Sequence, residues 1–246
     1  MRLHRFIGDF DLRQNMIEIN DRELIKQITK VLRLKQGEQF ILSDGRLNEA
    51  VAEITKIDKN QIKAKIIKKY KNENEPEKKV ILYCAILKRE NFELVVQKAT
   101  EAGISEIAPI ITERTVKTGL NLERLQKIIK EAAEQSGRGI IPVLHEPVRF
   151  AEAVKGGGIL FDKSGALFFE KFCAGRRDEQ SNSPAGEYAY FSENKAPRLF
   201  IGPEGGWSDN ELNLAKEHKF EIASLGKLTL RAETAATIAS YLMTYQ

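Results

Sequence analysis

The sequence predicts an α/β protein in which a small β-rich module precedes a larger domain built on a parallel sheet. Three observations support this prediction. Closely spaced strand patterns separated by turn residues fill much of the first 70 residues. A polar, charged, proline-containing stretch, residues 71–79, then divides the chain. After it, apolar strand patterns alternate with helical ones, which is typical of a parallel sheet.

The composition is that of a globular protein. The chain has 246 residues, of which 42% are hydrophobic and 30% charged, so it can bury a core and wholesale disorder is not expected. No apolar run approaches the roughly 20 residues that span a bilayer, and the N-terminus lacks the apolar core of a signal peptide. We therefore expect a cytoplasmic protein.

Metal and disulfide chemistry have no support in the sequence. Cys84 and Cys173 have no C-x-x-C pattern and no neighbouring histidine, so we expect reduced thiols. The histidines, His4, His145 and His218, are far apart and form no H-E-x-x-H motif. No metal ion is expected.

The first module opens with an apolar–basic strand pattern at His4–Ile7. Asn20 and Asp21 can cap a helix over about 22–34. Three strand patterns follow, at about 38–43, 48–57 and 61–69. The Asp44-Gly45 pair between the first two is a strong hairpin signal. Together these patterns predict a small antiparallel barrel with one helix.

Basic residues are concentrated in this module. Residues 1–70 carry fifteen lysines and arginines against ten acidic residues, whereas the formal net charge of the whole chain is +4. Lys26, Lys30 and Arg33 fall at i, i+4 and i+7 of the predicted helix, the spacing of a ridge that binds phosphates. A solvated polar face is the alternative. We predict that the module binds the RNA backbone.

The second part begins with a nearly continuous apolar strand pattern, Val80–Leu87. A helix over about 91–102 follows and ends at Gly103. Its predicted buried residues are Leu94, Val95, Ala99 and Ala102. Lys98 and Glu101 are one turn apart on this helix, so we predict an ion pair.

The next strand and helix supply two candidate substrate contacts. A strand at about 107–112 leads to Arg114, at the edge of the sheet where ligands bind. A long amphipathic helix is predicted over about 121–136 and stops at Gly137. Arg138 follows directly and is a candidate to face the substrate.

Residues 159–196 combine a wall of the predicted pocket with a region of uncertain structure. The strand pattern Ile159–Phe161 leads to the loop 162–165, which we predict to line the pocket. Residues 174–196 are rich in Ser, Asn, Gly and charge, a composition that predicts a mobile surface excursion.

Two strand–glycine-loop–helix units follow near the end of the chain. The strand 198–201 turns through the loop Gly202–Gly206 and leads to a helix. A second strand, 222–225, turns at Gly226 and leads to a helix from about Glu233 onward. Two such units in succession put both loops at the same edge of a parallel sheet, where these sheets bind ligands.

The chemistry of the loops favours a ligand with positive charge or hydroxyl groups. There is no G-x-x-x-x-G-K-[ST] or G-x-G-x-x-G fingerprint for phosphates or dinucleotides. Glu204 lies inside the first loop and would repel a polyanion. Ser208 and Glu211 predict a capping box after it. Purely structural turns are the alternative, which Arg231 and Glu233 beside the second loop make less favourable.

The two glycine segments resemble the signatures of the ribosomal RNA small subunit methyltransferase E (RsmE) family. The resemblance rests on Gly202-Pro203-Glu204-Gly205-Gly206 and on Leu225-Gly226 with Leu230-Arg231-Ala232-Glu233-Thr234-Ala235. It covers nearly the whole chain, because further stretches agree: His4-Arg5-Phe6, Gln97 to Glu101, Thr112-Glu113-Arg114 and Glu134 to Arg138. Trp207 and Ala102 depart from a usual Phe and Leu, which we interpret as changes of packing size. Leu228 stands where a basic residue is often seen, so a polar contact at 228 is in doubt.

The resemblance implies an architecture and an activity. It implies a PUA-like RNA-binding β-barrel at 1–70, a linker at 71–79, and a SPOUT-type knotted parallel-sheet domain at 80–246. The implied activity is methylation of N3 of a uridine in 16S rRNA, within the small ribosomal subunit, with S-adenosylmethionine as cofactor. A homodimer through the final helix is implied as well, and apolar residues do occupy more than one stripe of that helix.

The loop patterns and the resemblance together give the candidate site residues. The expected cofactor-binding residues are Phe161, Ile201, Gly202, Pro203, Glu204, Gly205, Gly206, Leu225, Gly226, Leu228, Leu230 and Thr234. Uracil N3 keeps its proton at neutral pH, so its methylation needs a proton acceptor and stabilisation of negative charge on the uracil oxygens. Arg231 is expected to offset that charge, and Glu204 or Glu233 to orient or deprotonate the uracil. The expected RNA-binding residues are His4, Arg5, Lys26, Lys30, Arg33, Arg114 and Arg138.

Three other functions are compatible with parts of the sequence. A ribose 2′-O-methyltransferase of the same fold would use the same loops on a different acceptor atom. A non-catalytic RNA-binding or ribosome-assembly protein would keep the basic module and a degenerate pocket. A dehydrogenase is the poorest alternative, since the dinucleotide fingerprint and its acidic ribose ligand are missing.

Overall fold

The computed structural model describes residues 3–116, 118–168 and 196–245. The chain divides into two compact units, Met1–Glu75 with Ala133–Ile141, and Pro76–Ala132 with Pro142–Gln246. No pattern in the sequence indicates that 133–141 groups with the first unit. The expectations for Cys173 and for nearly all of 174–196 lie outside the described residues.

The first unit is built on a five-stranded sheet with the order β1-β3-β4-β5-β2. The strands are β1 Arg5–Ile7, β2 Met16–Ile19, β3 Gln39–Ser43, β4 Asn48–Ile57 and β5 Ile62–Lys71. The predicted antiparallel hairpins β3–β4 and β4–β5 are confirmed. The prediction of a wholly antiparallel sheet is wrong, because β1 pairs with β3 in parallel. Strand β2, which pairs with β5, was not predicted. Strand β5 also runs further than predicted, into the stretch expected to be linker.

The predicted helix over 22–34 is shorter and changes its pitch. The helix α1, Arg22–Lys26, is capped by Asp21, whose carboxylate accepts from the backbone N–H groups of Glu23 and Leu24. It continues as a π-helical segment over Gln27–Val31 and then stops. Arg33 lies beyond it in a left-handed conformation, with φ 56°, so it does not share a helix face with Lys26 and Lys30. All three basic side chains are nevertheless exposed.

The second unit is built on a parallel sheet, as predicted, with the order β12-β10-β11-β6-β7-β8, and β9 beside β7. Its strands are β6 Ile81–Ala85, β7 Glu106–Ile111, β8 Val143–Leu144, β9 Val148–Arg149, β10 Ile159–Leu167, β11 Arg198–Ile201 and β12 Glu221–Ser224. Strands β10, β11 and β6 are neighbours although they are distant in sequence. This order brings the segments that follow them to one edge of the sheet.

Helices cover this sheet. They are α2 Arg89–Glu101, α3 Leu122–Ser136, α4 Phe150–Ala153 with a 3₁₀ turn at Val154–Gly156, α5 Asp209–Glu217 and α6 Ala232–Tyr245. The last helix packs on α2, β11 and β6, so the chain returns from β12 at the edge of the sheet to its middle. The knot that the resemblance implies stays a prediction. In the described residues, no helix is both long and apolar enough to span a bilayer.

The buried face of α2 differs in part from the predicted one. Val95, Ala99 and Ala102 are buried as predicted, whereas Leu94 is 40% exposed. The inward stripe runs instead through Phe92 and Val96, both fully buried. The predicted ion pair between Lys98 and Glu101 is confirmed, with 2.8 Å between Nζ and Oε2.

Candidate active site

A cavity of about 690 Å³ lies in the second unit, at the edge of the sheet where β10, β11 and β12 end. The first glycine loop, 202–206, and the second segment, 225–231, both line it. The prediction that the two loops lie at the same edge of the parallel sheet is therefore confirmed, and that they bind a ligand stays a prediction. The cavity also receives side chains from the segments that follow β6 and β7.

The first loop is packed tightly against Trp207. The indole is 5% exposed, and its Nε1–H donates to the carbonyl oxygen of Phe161 at 3.0 Å. A Cβ atom on Gly202 would lie 2.9 Å from the same indole, and Gly206 has φ 71°, so both positions favour glycine. The interpretation that Trp207 differs from phenylalanine only in packing size is wrong. Its N–H also joins two walls of the cavity.

The third wall is a bulge in β10. Phe161 and Ala166 both pair with Ala223 of β12, so residues 162–165 loop out of the strand. Asp162 holds this loop closed, since its Oδ1 accepts from the backbone N–H of Ser164 at 2.9 Å. Phe161, Asp162 and Lys163 line the cavity, which confirms the predicted wall.

The second segment delivers Arg231 and Glu233 to the cavity. The carbonyl of Arg231 accepts from the backbone N–H of Ala235 at 2.9 Å, so α6 begins at this point. Arg231 is exposed, whereas Glu233 is only 9% exposed. Within the described residues, no hydrogen-bond donor reaches the carboxylate of Glu233. Its carboxylate oxygens keep access to the cavity, where solvent or a ligand can supply a partner.

Glu204 has a different environment. Its Oε1 accepts from the backbone N–H of Lys88 at 3.2 Å, which ties the first loop to the start of α2. The pKa of the buried Cys84 thiol is raised first by burial and then by the negative charges of Glu204 and Glu233. Both carboxylates are therefore close enough to act on Cys84 in β6, and its thiol stays protonated.

Arg114 reaches the first loop from a turn that follows β7. Thr112 and Thr115 close this turn, since the N–H of Thr112 donates to Thr115 Oγ1 at 3.0 Å. Nη1 of Arg114 donates to the carbonyl oxygen of Gly205 at 2.7 Å. The predicted position of Arg114 at the ligand-binding edge is confirmed, since it lines the cavity.

Comparison with known proteins assigns the chain to a family. Residues 73–244 match the RNA methyltransferase domain, and residues 19–67 match the RNA methyltransferase PUA domain. A ribosomal RNA small subunit methyltransferase E from Rickettsia conorii is 30% identical over 97% of this chain and 94% of its own length. The chain belongs to the ribosomal RNA small subunit methyltransferase E family. A relative of the same name from Synechocystis is 35% identical over 86% of this chain and 67% of its own length.

Two solved structures of methyltransferases share the fold. The ribosomal RNA small subunit methyltransferase E from Neisseria gonorrhoeae, bound to S-adenosyl methionine, has a TM-score of 0.83 and 26% identity, covering 98% of this chain and 97% of that one. A Legionella pneumophila methyltransferase in complex with the cofactor SAM has a TM-score of 0.82 and 30% identity, covering 99% and 97%. The predicted SPOUT-type α/β fold with a PUA-like module is confirmed.

For this family member, eleven of the twelve predicted cofactor residues line the cavity. They are Phe161, Ile201, Gly202, Pro203, Glu204, Gly205, Gly206, Leu225, Gly226, Leu228 and Leu230. Leu228 is 82% exposed and so lies at the margin of the cavity. The prediction for Thr234 is wrong, because this residue is exposed and does not line the cavity. One residue further along α6 than Glu233, it is turned away by about 100°.

Sequence reasoning missed several lining residues. Lys88 and Asn91, at the start of α2, line the cavity, as do Ser224 and Ala235. The signal in the sequence for Lys88, Asn91 and Ser224 is that each lies close to the carboxyl end of a predicted strand, and Ala235 lies in the segment that resembles the family signature. Using that signal for Lys88 and Asn91 requires the strand order, because β6 meets the cavity only as the neighbour of β11.

Two predicted RNA contacts in the first unit are wrong. Arg138 is 5% exposed, and its Nη2 lies 2.9 Å from Oε2 of Glu75. The side chain of Arg5 is 11% exposed, and its Nε lies 3.0 Å from Oε1 of the fully buried Glu49 side chain. Buried guanidinium groups paired with carboxylates have no surface left for a phosphate. By contrast, His4, Lys26, Lys30 and Arg33 are exposed, and their role in RNA binding stays a prediction.

Proposed function

We propose that this chain transfers a methyl group from S-adenosylmethionine to N3 of a uridine in 16S rRNA. One observation carries the proposal: two glycine-rich loops enclose a cavity that Arg231 and Glu233 line together. Family membership supports it, because the relatives are named for the small-subunit ribosomal RNA and one is bound to S-adenosyl methionine.

The lining of the cavity fits this cofactor. Phe161, Ile201 and Leu230 supply apolar contacts of the kind that a flat adenine ring needs. Backbone N–H and C=O groups of the two glycine loops can bond its edge and the ribose hydroxyls. Glu204 and Glu233 add negative charge suited to a sulfonium cation.

The cofactor would supply an electrophilic methyl group on a positively charged sulfur. The protein must then hold the uracil in line with that group and manage one proton and one developing negative charge. Arg231 is exposed just before the start of α6 and can donate a hydrogen bond to a uracil oxygen as that oxygen becomes negative. Glu233 can accept the N3 proton, since its carboxylate is not held by a donor in the described residues.

The geometry favours Glu233 over Glu204 for that role. Glu204 already accepts from the N–H of Lys88 and so holds the first loop. The hydrogen bond from Lys88 occupies an oxygen of Glu204, whereas in the described residues both oxygens of Glu233 are free to accept a proton. We therefore assign proton transfer to Glu233 and loop positioning to Glu204.

RNA binding is assigned to both units. In the first unit the exposed basic residues His4, Lys26, Lys30 and Arg33 would contact phosphates without regard to sequence. In the second, Arg114 lines the cavity and can contact the target nucleotide. A cytoplasmic location follows from the ribosomal substrate.

A homodimer through α6 is part of the proposal. Ile238, Tyr241 and Tyr245 on α6 are 37%, 59% and 53% exposed, and Leu94 on the adjoining α2 is 40% exposed. An exposed apolar group of this kind on packed helices is typical of a subunit interface. Sedimentation of the wild-type protein and of Tyr241→Glu tests it; a monomeric wild type would contradict the dimer.

Nucleoside analysis of small-subunit rRNA tests the activity. We expect that deleting the gene removes N3-methyluridine from 16S rRNA and that the wild-type gene restores it, whereas Arg231→Ala does not. Loss of a ribose-methylated nucleoside instead would assign the chain to 2′-O-methylation. An unchanged nucleoside profile would contradict methyl transfer, and RNA binding would then be the remaining function for this chain.

A further inference from the structure

We infer that Glu211 is a positioning residue for the cavity, which it does not line. It holds the turn Thr112–Thr115 so that Arg114 bonds the carbonyl of Gly205 and thereby fixes the first glycine loop. The inference rests on the proposed function only where turnover is measured, since cofactor affinity reports on the loop independently.

The carboxylate of Glu211 serves two segments at once. It is 4% exposed on α5, and its Oε2 accepts from the N–H of Ser208 at 2.9 Å. The side chain of Ser208 accepts in return from the N–H of Glu211 at 3.1 Å, which completes the predicted capping box. The other oxygen, Oε1, accepts from the N–H of Glu113 at 2.9 Å, across 98 positions of the sequence. A helix cap alone needs only the first half of this arrangement.

The turn that Glu211 holds carries Arg114. Hydrogen bonds between Thr112 and Thr115 close it, including 2.8 Å between their hydroxyl oxygens. The amide of Asn210 adds a longer contact, 3.4 Å, to Oε1 of Glu113. Two residues at the start of α5, Asn210 and Glu211, therefore bond this turn at Glu113. The direction of the Arg114 side chain depends on these contacts.

Arg114 connects this turn to the first loop and can still bind substrate. Its Nη1 uses one donor on the carbonyl of Gly205, at 2.7 Å. A guanidinium has five N–H donors, so others remain for an RNA oxygen in the cavity that Arg114 lines. Orientation of Gly205 and contact with the target nucleotide are thus carried by one side chain.

Four full-length variants separate positioning from helix capping. Glu211→Gln keeps one acceptor oxygen but turns an amide toward one of the two N–H donors. Ser208→Ala weakens only the cap, and Glu217→Gln removes the same charge from an exposed position of the same helix. Arg114→Gln removes the link itself. Calorimetry with S-adenosylmethionine and single-turnover methyl transfer to small ribosomal subunits are measured for each.

We expect Glu211→Gln to weaken cofactor affinity and to slow methyl transfer, each by about tenfold. Ser208→Ala should lower only the melting temperature, and Glu217→Gln should change nothing. In an Arg114→Gln background, Glu211→Gln should have no further effect on affinity, because the link it supports is already gone.

Equal cofactor affinities and equal transfer rates in Glu211→Gln and Ser208→Ala would overturn the inference, and helix capping would then be the only role of Glu211. Additive losses in the double variant would overturn it as well. If Glu211→Gln does not fold, Glu113→Pro takes its place, since it deletes the N–H that Glu211 binds and spares the capping box; unchanged affinity there would refute the positioning role. A wild type that binds the cofactor but methylates no uridine would refute the proposed function alone.

Discussion

The arginines of the first unit and those of the cavity show how one residue type takes two roles. The side chains of Arg5 and Arg138 are 11% and 6% exposed, and each is paired with a carboxylate that is at most 13% exposed. Arg114 and Arg231 are exposed and line the cavity, and the hydrogen bond of Arg114 goes to a neutral carbonyl. All four lie in segments that resemble one family. Resemblance alone therefore does not separate arginines that hold the fold from those that face a ligand.

The role of each arginine depends on the group that its guanidinium bonds and on how deeply that group is buried. A guanidinium paired with a carboxylate inside the protein cannot turn outward to bind RNA without leaving the carboxylate as an unpaired charge in the interior. The Glu49 side chain of the first unit also accepts from the amide of Asn72 at 2.7 Å, which in turn bonds the carbonyl of Gly137 at 3.0 Å. This buried network joins residues 133–141 to the sheet of the first unit. In the part of the chain that the structure describes, the arginines of the cavity belong to no such network.

The largest effect is expected from breaking the buried pair. Arg138→Ala would leave Glu75 without its cation and should lower the free energy of unfolding by about 3–5 kcal/mol. Urea denaturation measures this loss, and Arg22→Ala, an exposed arginine of the same unit, is the control. A variant with unchanged stability and weakened RNA binding would reverse the comparison.

Removing an arginine of the cavity should act on rate rather than on stability. Arg231→Ala should slow single-turnover methyl transfer by about 10²–10³-fold, because it deletes a donor to the developing uracil charge. Its melting temperature should match that of the wild type. Transfer within threefold of the wild-type rate would remove Arg231 from the mechanism.

The two glutamates of the cavity sharpen the comparison further. Glu233→Gln should slow transfer by about 10²-fold, the lower end for loss of a general base. Glu204→Gln should change cofactor affinity more than rate, since its carboxylate holds the loop at the N–H of Lys88. The ratio of rate loss to affinity loss in each variant is the measurement, and a larger rate loss in Glu204→Gln would exchange their roles.

The smallest effect is expected at the exposed basic residues of the first unit. Alanine at Lys26, Lys30 and Arg33 should weaken RNA binding and lower the slope of log K against log salt by about one for each lost phosphate contact. A variant with alanine at the exposed Lys59, Lys65 and Lys68 removes the same charge elsewhere and is the control. Equal slopes in the two variants would point to general charge rather than to a site.

Patterns local in the sequence predicted most of the fold and the core of the site. Alternation of strands and helices predicted the parallel sheet, and the glycine turns after β11 and β12 predicted the loops that line the cavity. Such signals depend on neighbours within a few residues, so one sequence contains them.

What the sequence did not predict depends on distant partners. The burial of Arg138 requires Glu75, which is 63 positions away, and the role of Lys88 requires β6 to lie beside β11. The π-helical segment at Gln27–Val31 has an apolar spacing that an α-helix also satisfies. No local pattern distinguishes these cases, because the deciding contacts form only in the folded chain.

Calorimetric titration of S-adenosylmethionine into the wild type and Gly226→Ala tests most directly whether the two glycine loops form the cofactor site. Gly226 has φ 142°, which other residues rarely adopt, yet an added Cβ would meet no atom within 4 Å, so the variant strains the loop without a clash. We expect one site per wild-type chain and binding at least about tenfold weaker in the folded variant. Equal affinities, or no binding by the wild type, would contradict this assignment.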